Sequence, residues 1–353
     1  MKSIIILGAG KSQIPLIKNA KLAGFQTIVI DRNKDAIGFH FADKCFFIST
    51  YEAELIIEEL EENNNKFDIV GVINNSSGPP VVTKAKLCYW LGIQAYSSEI
   101  ADTIIHKSKM LKFCVKNSIR VPQFKIFKKG DNLNPDSINY PVIVKPSLSI
   151  IGKSGVYLVS QSSQLLKIIN DSLRYSLDGC VNIEEYIEGD DISFLSFIQN
   201  GAIEIKILVD EINYINEDGL HYGLGYAMPT KQNQLIQEKV IDLAKLLIDK
   251  FDLQKTTFSF SCRIDKYKEP VLIEIHLELG GDLVWDVLIP KSTKVNFSNY
   301  TINFFSNRNS EPFDFKIRPT ALLYGKGSGL VTDRPFKLFQ AKSRIELENF
   351  FFE

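Results

Sequence analysis

Two lysines and a serine-rich loop are the residues in this chain best placed to do chemistry. In the stretch YPVIVKPSLSIIGKSG, residues 140–155, the run Val142-Ile143-Val144 reads as a buried strand that fixes Lys145 at its end. The loop 147–155 then offers backbone N–H groups, the hydroxyls of Ser147, Ser149 and Ser154, and the ammonium of Lys153. Such a set can wrap a polyphosphate, because backbone donors converge on anionic oxygens and lysines neutralise them. The same residues also suit a polar hairpin turn carrying a solvated lysine.

Two Gly-Lys-Ser triplets, at 10–12 and 152–154, fall short of the G-x-x-x-x-G-K-[ST] phosphate loop. Ile5 and Ser147 stand where its first glycine is needed. The dinucleotide fingerprint G-x-G-x-x-G also fails, since Gln13 replaces its third glycine. Asp31 ends a strand as a ribose-binding acid would, but one acid after one strand says little.

The elements that must position these residues follow from periodicity. Strands at 3–7, 27–30, 44–48 and 69–73 alternate with helices at 13–23, 52–63 and 79–91, which implies a parallel sheet covered on both faces. Its ligands belong at the carboxyl ends of the strands, near Gly8–Gly10, Asp31 and 74–78. A helix over 107–116, a strand at 124–127, the lysine strand, a helix at 163–172 and a strand at 181–183 follow. Beyond Gly189 the pattern becomes antiparallel: strands at 192–199 and 203–209, a helix at 234–250, then strands at 257–264 and 271–275. His221 falls in the loop before the long helix.

Composition bounds the class. With 353 residues, two or three compact units are expected, and 45% apolar with 24% charged residues describes a globular chain. A net charge of −1 without a Lys/Arg cluster argues against nucleic acid, and no apolar run is long enough to span a bilayer. Five scattered cysteines without C-x-x-C fit a reduced cytoplasmic setting and not a zinc site.

Four segments in order, HKSKMLKFCVKNSIRVPQF, YPVIVKPSLSIIGKSGV, VNIEEYIEGDDISF and VLIEIHLELGGD, resemble the ATP-grasp superfamily of ATP-dependent ligases. The resemblance runs to about Asn307. The lysine loop is similar to that of formate-dependent glycinamide ribonucleotide transformylases, while the layout is closer to amino-acid ligases and carbamoyl-phosphate-synthase-like members. The resemblance implies α/β and α+β architecture: a pre-ATP-grasp parallel-sheet domain at 1–105 and a two-lobed ATP-grasp domain at 106–308. Lobe A would span about 106–187 and lobe B about 188–308, with a small β-rich segment at 309–353.

By that resemblance, Lys107 contacts ATP phosphate and Lys145 bridges the α-phosphate and adenine. Ser149, Gly152, Lys153 and Ser154 close over the β- and γ-phosphates. Glu184 accepts from the adenine amine, the backbones of Glu185 and Ile187 read the adenine edge, and Asp191 takes the ribose hydroxyls. Glu274 bridges Mg²⁺ (or Mn²⁺). His276 replaces the asparagine of the E-x-N-x-R metal motif as a candidate ligand, although Mg²⁺ prefers oxygen. Glu278 reverses the charge of the motif's arginine, and the second metal acid falls on Ser261 or Cys262.

Alternation along 257–264 puts Ser259, Ser261 and Arg263 on one face, so Arg263 is a candidate for the missing positive charge. Asp282 or Asp286 would add a carboxylate. Asn74, Asn75, Ser76, His221, Gly280 and Gly281 are candidate substrate contacts. The expected activity is ATP-dependent joining of a small-molecule carboxylate and amine through an acyl phosphate, with no nucleic-acid or membrane partner and with a homodimer left open. The alternatives are a catalytically impaired ATP-binding regulator of the same fold and an NAD(P)-linked enzyme using Gly8–Gly10.

Overall fold

The computed structural model describes residues 1–63, 67–149, 154–280, 282–308, 315–325 and 334–351. Its first unit is a parallel sheet of β1 (Lys2–Leu7), β2 (Gln26–Ile30), β3 (Lys44–Phe46) and β4 (Asp68–Asn74), ordered β3-β2-β1-β4. Helices α1 (Ile14–Leu22), α2 (Ala53–Glu62) and α3 (Pro79–Trp90) cover it. Burial on both faces explains the unbroken apolar run of β1. Ile4 and Ile6 share a core with Leu16 and Ile17 of α1, whereas Ile5 and Leu7 join Ile56 of α2 and Leu87 of α3. Two short helices, α4 (Ser98–Ile105), capped where the Ser97 hydroxyl accepts from Ile100 N–H, and α5 (Lys107–Lys116), lead onward.

Lobe A is an antiparallel sheet of β5 (Phe124–Lys128), β6 (Val142–Pro146), β7 (Tyr157–Val159) and β8 (Cys180–Glu185), ordered β5-β8-β6-β7. Val142 and Val144 of β6 and Val181 and Ile183 of β8 pack on Leu165 and Ile169 of α6 (Ser162–Leu173). The two-residue period of a strand then turns Lys145, Asn182 and Glu184 to the opposite face.

Lobe B is one eight-stranded sheet. Its strands are β9 (Asp190–Gln199), β10 (Ala202–Ile203), β11 (Ile207–Ile215), β12 (His221–Met228), β13 (Lys255–Ile264), β14 (Pro270–His276), β15 (Thr320–Tyr324) and β16 (Phe336–Gln340). The order is β14-β13-β9-β11-β12-β15-β16, with β10 added to β9. Helix α7 (Gln234–Lys250) backs it: Phe258, Phe260 and Cys262 share a core with Val240 and Leu247. Ser259, Ser261 and Arg263 lie on the other face, toward lobe A. Of the short helices α8 (Ile289–Thr293), α9 (Phe297–Phe305) and α10 (Arg344–Glu348), α9 matters most. It packs against the first unit so closely that a Cβ at Gly71 of β4 would lie 2.7 Å from the Phe305 carbonyl oxygen. One apolar core runs from Ile4 and Ile17 to Trp285, Phe297 and Phe304.

Two expectations are corrected here. His221 does not lie in a loop; it opens β12, a strand rich in glycine. Gly225 of β12 passes against the Leu322 carbonyl of β15, where no Cβ fits, so the glycine that weakens the strand signal is what permits the pairing. The strand expected at 203–209 is divided into β10 and β11. The C-terminal segment supplies β15 and β16, which lengthen lobe B's sheet beyond β12. Among the described residues, no helix is long and apolar enough to cross a membrane.

Lys84 of α3 is fully buried between the first unit and lobe B. Its ammonium lies 3.9 Å from the centroid of the Phe305 ring and has no hydrogen-bond partner among the described residues. Burial pushes its pKa down from 10.5 to about 8, against the opposing pull of Cys88 and Glu278. The unfolded chain therefore holds this proton more tightly, and stability should rise with pH above about 8. The stability difference between wild type and Lys84→Met should move in favour of wild type by on the order of 2 kcal/mol between pH 8 and 10. Urea denaturation at both pH values measures this, and a pH-independent difference is the contrary result.

Candidate functional site

Side chains from both lobes meet between β6, β8 and β14. The Lys145 ammonium lies 2.8 Å from Glu184 Oε2 and donates across the cleft to the carbonyl of Ile273 at 3.4 Å. Lys107, at the start of α5, lies 3.4 Å from Glu274 Oε2 on β14. The start of the serine loop is tied to the same helix: Lys107 N–H donates to Ser147 O at 2.9 Å, and the hydroxyls of Ser108 and Ser147 are 2.8 Å apart. Lys107, Lys145, Glu184 and Glu274 thus form one polar cluster at the lobe junction. Ser149 bridges to Ser176, and Ser154 lies in the turn that follows; Gly152 and Lys153 lie outside the described residues.

Beside this cluster, the ring of His276 stands between two carboxylates. Nε2 lies 3.4 Å from Glu274 Oε1, and Nδ1 lies 3.3 Å from Glu278 Oε1. Burial disfavours the charged ring, but Glu274 and Glu278 outweigh it and raise its pKa to about 10. Burial likewise opposes ionisation of Glu274, yet Lys107 and His276 hold its carboxyl well below the usual range. An imidazolium with both nitrogens committed has no lone pair for a metal. His276 therefore does not fit as a ligand in this arrangement, whereas the Glu274 carboxylate supplies the oxygen that Mg²⁺ prefers. Among the described residues, no group of three His, Cys, Asp or Glu side chains is arranged to hold a metal ion. Glu278 is buried and accepts from Leu277 N–H at 3.0 Å, so its charge is turned to His276 and its own strand end.

Arg263 faces the cleft, but its guanidinium is committed elsewhere. Nε and Nη2 grip Asp191 at 2.6 and 2.7 Å, and Nη1 donates to the Ile187 carbonyl at 2.8 Å. Asn213 adds a 2.8 Å bond to the same aspartate. Arg263 thereby braces the segment joining the lobes and holds Asp191 in place. The N–H of Glu185 donates to Gln123 O at 2.8 Å, which leaves that donor engaged within lobe A.

At the end of β4, Asn74 is bonded to both backbone groups of Ser76, and Asn75 accepts from Gln13 Nε2 at 2.5 Å. These amides tie the strand end to the Gly8–Gln13 turn. The N–H of His221 donates to Val156 O of lobe A at 3.0 Å. Gly280 has a left-handed φ of 70°, and Gly281 lies outside the described residues. Asp282 and Asp286 lie close enough for Asp282 to assist burial in raising the Asp286 pKa to about 6.

Sequence reasoning missed Glu211 of β11. Its carboxylate reaches across the sheet to accept from Ser261 and Ser193 at 2.5 and 2.6 Å. The signal was the alternation of Val209, Glu211 and Asn213 along one face of a strand whose length was misjudged.

No family model matches the chain. It is 28% identical over 195 residues to a formate-dependent phosphoribosylglycinamide formyltransferase from Prochlorococcus marinus, a match over 54% of this chain and 48% of that protein. The chain thus spans about half the length of the curated relative. Among solved structures, the L-amino acid ligase of Bacillus licheniformis superposes with a TM-score of 0.78 at 15% identity, over 99% of this chain and 96% of that one. The chain has the ATP-grasp fold. The phosphoribosylglycinamide synthetase of Anaerococcus prevotii gives a TM-score of 0.68 at 18% identity, over 92% of this chain and 80% of that one. At such identities the structural likeness is one of fold. Within this fold Lys145 spans the junction between lobes, and Arg263 braces it.

Replacing Arg263 by lysine would keep the charge but lose the two-pronged grip on Asp191. The unfolding midpoint should fall by a few degrees, as measured by calorimetry, because a charge-assisted pair of hydrogen bonds is lost. An unchanged midpoint would show that the bracing is without consequence.

Proposed function

We propose that the chain is an ATP-dependent ligase joining a carboxylate to an amine, with release of ADP and phosphate. What carries this reading is that Lys107 and Lys145, from separate elements, converge with Glu274 at the junction of an ATP-grasp fold. Two ammonium groups and the donor-rich loop offset the charge of a triphosphate. Mg²⁺, when bound through Glu274, supplies further neutralisation of phosphate charge.

In the reaction, a carboxylate oxygen of the substrate bonds to the γ-phosphorus while the bond to the ADP oxygen breaks. The amine nitrogen then bonds to the acyl carbon, phosphate leaves with the electron pair, and the nitrogen passes its proton to the departing phosphate. The residues of the chain act by position and charge: Lys107 and Lys145 hold the phosphates, Glu184 fixes Lys145, and Arg263 braces the lobe junction. The closed cleft excludes water from the acyl phosphate. Asn74, Asn75 and Ser76 at the β4 end, with Gly280 and Asp282, form the candidate acceptor side. The five cysteines are free thiols, as a reducing compartment such as the cytoplasm keeps them.

The second reading, an ATP-binding protein with impaired turnover, is favoured by the commitment of His276 and Glu278 to each other. The decisive assay is ADP release from MgATP with a panel of amino acids, with hydroxylamine present to trap an acyl phosphate as hydroxamate. ADP together with hydroxamate is the expected outcome. Thermal stabilisation by ATP without ADP would favour the binder. Lys145→Ala should weaken ATP binding by at least about a hundredfold, since it removes a buried cation and strands Glu184. Wild-type affinity in that variant would remove the proposed site.

A further inference from the structure

Asn182 of β8 lies two residues before Glu184 on the same strand face and is wholly buried. Its Nδ2 donates to Glu184 Oε1 at 3.2 Å, and Glu184 Oε2 is held by Lys145 at 2.8 Å. That contact fixes the orientation of the amide, because a flipped amide would press its oxygen against a carboxylate. The other end, Oδ1, has no hydrogen-bond partner among the described residues. A buried acceptor left unpaired costs stability, and leucine or valine would fill a strand position more cheaply. Lys145 is the register neighbour of Asn182 on β6 and reaches across the cleft to Ile273, so the orphan oxygen belongs to the lobe junction.

We infer that Asn182 Oδ1 is an acceptor reserved for the ligand, and that it receives the exocyclic amine of the nucleotide base. The inference rests on the ATP reading given above. The donor is identified by the pairing of acceptors: an N–H₂ group has two hydrogens to share between Asn182 and Glu184, whereas a ribose hydroxyl has one. Phosphate oxygens carry no hydrogen near neutral pH and would repel a carbonyl, and the lysines of the cleft already answer them. The base edge is the part of the nucleotide that offers an N–H₂. Together with the Glu184 carboxylate, Asn182 presents two neighbouring acceptors toward that edge. A 6-amino purine satisfies such an edge, whereas a 6-oxo purine would set its carbonyl against both acceptors. In this proposal the base reaches the enclosed oxygen once the Lys145–Ile273 contact opens.

A chemical double-mutant comparison tests this, using equilibrium binding of ATP and of purine riboside triphosphate, which lacks only the 6-amino group. Wild type should bind ATP about tenfold more tightly than the analogue. In Asn182→Leu that preference should shrink to about twofold, with affinity for the analogue held close to wild type. Asn182→Ser carries the same comparison should leucine prevent folding. Equal weakening of both nucleotides would overturn the inference, because Asn182 would then act only by supporting Glu184 and Lys145. Loss of a preference for ATP over its 3′-deoxy form, in place of the amine preference, would also overturn it. Failure of wild type to bind either nucleotide would instead overturn the ATP reading itself. Binding of both nucleotides with equal affinity by wild type would remove Asn182's role alone.

Discussion

A buried ammonium group must find an opposing charge, and the pairing of Lys145 with Glu184 is the constraint on which the cleft depends. Both side chains are almost fully buried, and they come from neighbouring antiparallel strands whose valines and isoleucine point the other way into α6. Removing either partner would leave a charge in the interior without compensation. The pair also sets the position of the remaining groups: Asn182 leans on the carboxylate, and the lysine reaches the backbone of β14 beside Glu274. Strand alternation alone thus delivers three polar groups to one face and keeps the other face apolar.

The β14 end shows how local charge reshapes a shared fold. A sequence Glu-Ile-His-Leu-Glu puts three ionisable groups at two-residue spacing, on one face of a strand and its continuation. The imidazolium is stable because it lies between two carboxylates, and together with Lys107 it holds the Glu274 carboxyl ionised. This mutual dependence leaves Glu274 with a cation near each oxygen: Lys107 at one and His276 at the other. Arg263 likewise spends its guanidinium on Asp191 and on the Ile187 carbonyl, so its role is in the architecture of the lobe junction.

The parallel sheet was legible because β1, β2 and β4 are short and apolar and because β1, β3 and β4 each lead into a helical period; β1, β2 and β4 lie within a residue or two of expectation. Lys107, Lys145 and Glu274 could be read from ordered local patterns. The parts that could not be read depend on contacts distant in sequence. Strand β12 is rich in glycine and looks like a loop until β15, about a hundred residues later, comes to lie beside it. Helix α9 fills a groove over β4 that its own sequence does not announce. The partners of Arg263 and His276 are chosen by register between strands, and the lone acceptor of Asn182 becomes visible only when every neighbouring donor has a position.

The apolar core that joins the first sheet to α9 has a mechanical consequence. The first unit and lobe B are welded by aromatic packing, whereas the sheet of lobe A keeps an apolar core of its own with α6 and meets lobe B through Phe124 of β5 as well as through polar groups such as Lys145, Lys107 and the backbone near His221. Polar contacts trade readily for water, but a shared greasy seam does not. The first unit and lobe B therefore hold together as one block, to which lobe A is joined by a seam that mixes polar and apolar groups.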